Sequence, residues 1–539
     1  MPRLRTCLIL LGLLVLSCGL DASGTYSFGR NSVPSMFSPQ VSSQFDDNYS
    51  LYPYFLYYDP PLKAPQGISH PFSSFKRLGD SIVDAFNPAN RRYALLQYTY
   101  RDSGMVFGSP EIALHEVPHS QDVQLVGNMN FRSELNFVAG YDQRWEDDTR
   151  YGFIWKGIAL KANINKHIAA KAIWTNGAFT GDRDAAEALS PLVDGYITHT
   201  AEQTRLDNLT ARLSYYHPNL GVELGRKSHN IGNNLSGSIV LSDQVNDYGY
   251  LKAEAMFGKL RVSLLHASLN ADSARAEAKL ADLDLPDKYL ALHEIAWYSD
   301  LHRFYAGEAV VYGNRAPDIN YLLPHTFWRV TEHNQWDRDN VLIYAGFSKS
   351  SYLSHSYWFT GLFDELSYGK LFSNWWGNKW AVQSGAEIYF PALELISLPP
   401  KLAVEVVAVR PWTYTHYQNH TMYSHDKKPL GYPKGSNLVS GTVELDYPLS
   451  MNFHLVGQAS FTRQGSEGND WRLNYSDYFP PALIDTARTP WFAGQRTDTL
   501  ELGSLLKIYL AHHNLYIGHR AKKTDKWEHS VFAGWLFLY

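Results

Sequence analysis

The densest run of groups able to grip a ligand lies between residues 411 and 438. Trp412, Tyr414, His416, Tyr417, His420, Tyr423, His425, Lys427 and Lys428 follow one another there in a single segment. Aromatic faces cover the apolar side of a pyranose ring, while imidazole, amide, carboxylate or guanidinium groups take its hydroxyls. The composition therefore suits sugar recognition. Trp328, Trp336, Arg338, Trp375, Trp376 and Trp471 stand in other connections of the same character. The aromatics among them also have a plainer reading, because amphipathic rings gather at the interfaces of any membrane barrel. The spacing of His416 and His420 would suit a metal on one helix face, but Pro411, Thr413 and Thr415 oppose a helix there. No metal and no other cofactor is expected.

Glu308, Glu387, Glu405, Glu444 and Glu501 alternate with apolar neighbours, which places them on the polar face of strands. Carboxylates paired across a sugar would evoke a glycosidase. A polar barrel interior needs such charges in any case, so these are read as lumen carboxylates. Gly-x-Ser-x-Gly and a phosphate-cradling loop do not occur in the sequence. No catalytic residue is assigned, and the chain is read as a non-enzyme.

Strands must position these groups. Residues 529–539 (HSVFAGWLFLY) put Val531, Ala533, Trp535, Phe537 and Tyr539 on one face of a period-two element, as the closing strand of an outer-membrane barrel would. The clearest hairpin upstream sets Val439, Gly441, Val443, Leu445 and Tyr447 opposite Phe453, Leu455, Gly457, Ala459 and Phe461. Ser440, Thr442, Glu444, Asp446, His454, Gln458 and Ser460 fall on the other face. Towards the N-terminus, short connections (448–452, 391–400, 349–354, 299–302, 258–259, 217–219, 165–166) alternate with long ones (463–498, 411–438, 313–339, 270–287, 227–247, 176–205). A soluble sandwich has no reason to sort loop lengths by parity, whereas an outer-membrane barrel has short periplasmic turns and long outer loops. The expected fold is all-β: a transmembrane antiparallel barrel of about eighteen strands over residues 132–539. Residues 23–131 form an N-terminal periplasmic or plug segment, with an extra hairpin as an option.

Arg3 and Arg5, the apolar run from Cys7 to Leu16 and the small residues after it have the layout of a Sec signal peptide over residues 1–22. Cys18 leaves open a lipoprotein reading, and no cysteine follows it. With 48 basic and 53 acidic side chains the chain carries a net charge of −5, which excludes nucleic acid as an expected partner. Aromatics make up 14 % of the residues, yet mean hydropathy is −0.30. A barrel reconciles the two, since half of each strand meets lipid and half a wet lumen.

Three blocks, 224–244, 288–334 and 409–437, resemble the capsule assembly Wzi family of outer-membrane barrels. The last of them (VRPWTYTHYQNHTMYSHDKKPLGYPKGSN) is the most distinctive. The resemblance implies an eighteen-stranded barrel that holds surface polysaccharide as a lectin, with outer-membrane lipid as its surroundings. The loop portions of the three blocks are expected at the outer end, lining one rim or folding together over the lumen. The expected glycan-binding residues are Trp336, Arg338, Trp376, Tyr414, His416, Tyr417, His420, Tyr423, His425 and Lys427. A barrel of this size satisfies its own strand edges, so a monomer is expected. A porin-like diffusion channel is the alternative, and an outer-membrane glycan- or lipid-modifying enzyme is a third.

Overall fold

The computed structural model describes residues 132–539 apart from 147–148, 164–167, 183–195, 200–203, 218–219, 272–285, 299–301, 350–354, 366, 371–372, 391–399, 427, 450–452, 510–512 and 539. The leader, the segment 23–131, Lys427 and Tyr539 lie outside the described residues. Strands β1 (Arg132–Glu146), β2 (Thr149–Asn163), β3 (Ile168–Gly181), β4 (Tyr196–His199), β5 (Thr204–His217), β6 (Leu220–Arg226) and β7 (Gly249–Phe257) come first. They are followed by β8 (Leu260–Leu269), β9 (Lys288–Tyr298), β10 (His302–Gly313), β11 (Asn340–Lys349), β12 (His355–Glu365), β13 (Lys379–Tyr389) and β14 (Lys401–Val409). The last are β15 (Ser424–His425), β16 (Lys428–Pro429), β17 (Leu438–Pro448), β18 (Phe453–Gly465), β19 (Arg496–Tyr509), β20 (His513–Lys523) and β21 (Trp527–Leu538).

Setting aside the short β4, which pairs only with β5, and the small hairpin β15–β16, each strand pairs antiparallel with the next. β21 returns to β1, from Val138 opposite Leu538 to Glu146 opposite Ser530, and so closes a ring of eighteen strands. Closure leaves no sheet edge, which is what a strand needs where no water can satisfy its backbone. Among the described residues no helix is long and apolar enough to cross a membrane. The sorting of connections by length holds with two departures at the long-loop end, where 147–148 and 524–526 are two and three residues long.

The period-two pattern decides which side chains leave the barrel. Phe137, Ile388, Val443, Leu445, Leu455, Phe461, Ile517, Val531 and Trp535 are exposed on the outer wall. Ser440, Thr442, His454, Gln458 and Ser460 are buried on the inner one, as the hairpin pattern requires. The lumen itself is uneven. Towards the short-turn end it holds ion pairs: Arg261 and Arg303 both reach Glu294 (2.8 and 2.5 Å), Lys252 meets Glu254 (2.8 Å) and His454 meets Asp446 (3.1 Å). Towards the long-loop end Leu269, Leu290, Val311, Leu342, Leu362, Ala381, Val409 and Leu438 join one apolar cluster.

Outward residues should tolerate charge according to depth. Val443, midway along β17, changed to Arg is expected to destabilise the barrel by about 2–4 kcal/mol, against about 0–1 for Val439→Arg near the rim. Equilibrium denaturant unfolding in lipid vesicles measures both.

Candidate functional site

The apolar end of the lumen is filled by two of the long connections. Residues 227–248 descend between the strands and are held by β14 and β13. Glu405 accepts hydrogen bonds from the backbone N–H of Leu235 (2.7 Å) and Ser236 (2.9 Å). Gln383 donates to Gly237 O (2.9 Å) and to Glu405 (3.0 Å). Gly237 has φ +106°, and a Cβ there would lie 2.6 Å from Pro433, so the contact needs glycine twice over. Leu235, Ile239, Val240, Leu241 and Val245 are thereby buried inside the barrel.

Residues 410–437 close over them. The rings of Tyr414 and Tyr423 stack at 5.8 Å, and their hydroxyls donate to Ile239 O and Val240 O, both at 2.7 Å. Asp364 accepts from the Tyr414 N–H (2.6 Å), and Lys379 donates to Thr415 O (3.2 Å). Lys428 reaches Asn246 (2.8 Å), and Asn270 N donates to His425 Nδ1 (2.9 Å). Trp412 and Tyr414 sit at φ +66° and +74°, a costly conformation for bulky residues that persists only where packing imposes it.

This geometry corrects part of the sequence reading. Tyr414, Tyr423, His425 and Trp376 are at most 2 % exposed, so they hold the loops together and present no face to a sugar. Trp376 stacks on Phe479 at 4.8 Å and donates to Ile484 O. The periodicity of a loop does not reveal burial, and this loop's aromatics were assigned by type alone. His416 is half-buried against Thr421. Burial, with Lys379 next, holds its pKa well below the usual histidine value, and burial together with Lys252 does the same to His229.

A smaller set remains accessible. Tyr417 lies edge-on to Tyr475 at 6.4 Å, and Tyr478, 52 % exposed, packs on Trp412 at 5.0 Å. Beneath them the buried Lys379 lies 4.5 Å from the Tyr475 ring and pairs with the partly exposed Glu365 (3.0 Å). Lys370 covers Trp375 at 4.2 Å. Trp336 is 92 % exposed, Arg338 is exposed beside Gln335, and His420 is half-buried. Tyr475 and Tyr478 come from residues 466–495, a connection whose aromatic richness was the available signal, although only Trp471 was singled out there.

The third connection, 314–339, does not enter the barrel. Glu308 shares the strand face of Phe304 and Ala306, which are exposed on the outer wall, so it points outward and not into the lumen. Apolar residues flank it on both faces of β10, which is why alternation alone misassigned it. Its carboxylate accepts from the backbone N–H of Trp328 (2.7 Å) and Arg329 (2.9 Å), at the start of helix α1 (Trp328–Asn334), and pairs with His293 Nε2 (2.9 Å). Trp328 stacks on His293 at 4.0 Å. Arg315 grips Asp339 through its two terminal guanidinium nitrogens (2.8 and 2.6 Å), tying the ends of the connection together. Within it Glu332, His333 and Asp337 gather their ligand atoms within 4.8 Å, with Arg329 on Glu332 at 3.0 Å. Burial pushes the Glu332 carboxyl up to about 8. Glu387, Glu405 and Glu444 do face the lumen, Glu387 near Lys401 (3.6 Å) and Glu444 accepting from Gln458 (3.1 Å).

Neither a protein-family model nor a curated protein matches the sequence. Solved structures do resemble the fold. Wzi of Escherichia coli, described as an outer-membrane protein involved in group 1 capsule assembly and a carbohydrate-binding β-barrel, is 11 % identical. The match covers 74 % of this chain and 84 % of that one, with a TM-score of 0.48. OprD of Pseudomonas aeruginosa is 8 % identical over 76 % and 95 % of the two chains (TM-score 0.42). OccK2 of the same organism, in complex with glucuronate, is 9 % identical over 75 % and 98 % (TM-score 0.43).

Two outcomes follow for the packed loops. Glu405→Ala leaves the Leu235 and Ser236 N–H groups buried without their acceptor, a loss of about 1–3 kcal/mol for each group. Hydrogen exchange across 227–248 should then quicken while β17 and β18 keep their protection. Because His229 and His416 resist protonation in the folded loops and accept it when the loops open, loop stability is complete above the ordinary histidine pKa. It falls as pH drops below about 6.5. Exchange corrected for intrinsic rate should show the loops opening more at pH 5.5 than at 7.5, and His416→Gln should weaken that response.

Proposed function

We propose that the protein is an exported outer-membrane barrel that binds surface polysaccharide without transforming it, as a monomer, in the service of capsule or exopolysaccharide retention. The observation that carries this reading is the accessible shelf of Tyr417, Tyr475 and Tyr478, bordered by Glu365, whose buried partner Lys379 lies against the Tyr475 ring, on top of loops packed into the barrel. Flat rings beside a fixed carboxylate suit the apolar and hydroxyl faces of a sugar chain. The loops beneath are held by buried hydrogen bonds, so the shelf is preorganised and loses little entropy on binding. The likeness of blocks 224–244, 288–334 and 409–437 to the capsule assembly Wzi family points the same way.

A diffusion channel is the competing reading. The apolar packing of 227–248 and 410–437 inside the long-loop half of the lumen weighs against it, since a water-filled porin keeps its interior polar. Purified protein on an array of bacterial surface glycans should bind an acidic or neutral polysaccharide. Alanine at Tyr417, Tyr475 or Tyr478 should weaken binding about three- to tenfold each, whereas alanine at the buried Tyr423 acts by loosening the loops. High single-channel conductance in planar bilayers together with no glycan binding would refute the proposal.

A further inference from the structure

On the outer wall between β8 and β11, residues that by strand alternation should meet lipid are covered. Ala291 on β9, Val310 and Tyr312 on β10 and Val341 on β11 share their strand faces with the exposed Ile295, Trp297, Phe304 and Ala345, yet all four are buried. The cover is the connection 314–339, whose Tyr321 and Trp328 complete one buried cluster with them.

The height of this cover follows from strand geometry. Glu308 stands six residues along β10 from His302 at the short-turn end. At a rise of about 3.3 Å per residue and a tilt of about 40°, that is roughly 15 Å up the wall, within an apolar band about 25 Å tall. An ionisable pair such as Glu308 and His293 at that depth is costly if it meets acyl chains. The start of helix α1 shields it, and the carboxylate satisfies two backbone N–H groups of the helix in return. Beside the exposed Asn320, His325, His333, Asp337 and Arg338, the opposite face of the cover carries apolar side chains: Ile319, Leu323, Phe327 and Val330 are 70, 36, 55 and 51 % exposed, and Trp336 follows at 92 %. These residues continue the apolar outer wall.

We propose that residues 314–339 form a flap lodged between the barrel wall and the outer leaflet, with Leu323, Phe327 and Val330 against acyl chains and Trp336 at headgroup level. Irregular backbone is tolerated near hydrocarbon only when its polar groups are satisfied. Here the Glu308 carboxylate takes the N–H groups of Trp328 and Arg329 and the Tyr321 N–H donates to Asp318 O (3.1 Å), while the Arg315–Asp339 pair and the Tyr321 hydroxyl on Asp339 (2.7 Å) bond the side chains internally. An amphipathic segment with a tryptophan at its edge is the chemistry of an interfacial anchor. The inference rests on the outer-membrane reading above.

The test uses the full chain with Cys7 and Cys18 replaced by serine, which leaves no other cysteine. Nitroxide labels are placed through Phe327→Cys and, separately, Val330→Cys, in protein reconstituted into phosphatidylcholine vesicles and shown to be folded by heat-modifiable migration. Phe304→Cys marks the outer wall and Asp477→Cys the aqueous loops. Collisional accessibility by electron paramagnetic resonance should rank oxygen above nickel chelate at 327 and 330, as at 304, with the opposite order at 477. A water-like order at 327 and 330 with a lipid-like 304 overturns the flap and leaves the barrel reading intact. Low access to both reagents with spin–spin broadening assigns the face to a second copy and also overturns it. A water-like 304 refutes the membrane reading itself, and the flap with it.

Discussion

Every backbone N–H and C=O in a membrane-crossing strand must find a partner within the protein, and the pairing of β21 with β1 is where this chain meets that demand. Without it, one row of β1 and one row of β21 would stand open. With it, the alternation of each strand becomes a division between two solvents, and the polar residues of the inner wall acquire an enclosed space to line. The loops at one end can then fold against that inner wall.

The same requirement governs the loops. A connection that enters a barrel carries bare peptide groups with it, and these must be met by the wall. Glu405 and Gln383 meet those of 227–248, and Asp364 and Lys379 meet those of 410–437. On the outside, Glu308 performs the equivalent task for 314–339. Two carboxylates of the kind that catalysis uses, Glu405 and Glu308, thus serve as acceptors for loop backbone, which accounts for their burial. The result is a barrel with its long-loop half packed like a protein core, its short-turn half lined by ion pairs, and the accessible Tyr417, Tyr475 and Tyr478 on the loops above.

Much of the scaffold was legible because period-two alternation and loop length are local properties. The hairpin β17–β18, the lumen placement of Glu387, Glu405 and Glu444, and the outward placement of Val531 and Trp535 follow from spacing, and the structure has them. The site was less legible. Tyr414 and Tyr417 stand three residues apart in the same loop, yet one is buried with its hydroxyl on Ile239 O while the other lies half-open against Tyr475. No local pattern separates them, because burial in a loop depends on a segment some 175 residues away.

The sequence by itself determined the all-β barrel, its strand number and the end at which its long connections emerge, since these follow from alternation and chain length between turns. Only the tertiary structure decided where those connections go: 227–248 and 410–437 inward, 314–339 over the outer wall. That choice depends on which wall residue offers an acceptor to which loop amide. Glu308 shows the difference most plainly, because its acidity was evident from the sequence, while the side of the wall it serves emerged only when Phe304 and Ala306 on the same face proved exposed.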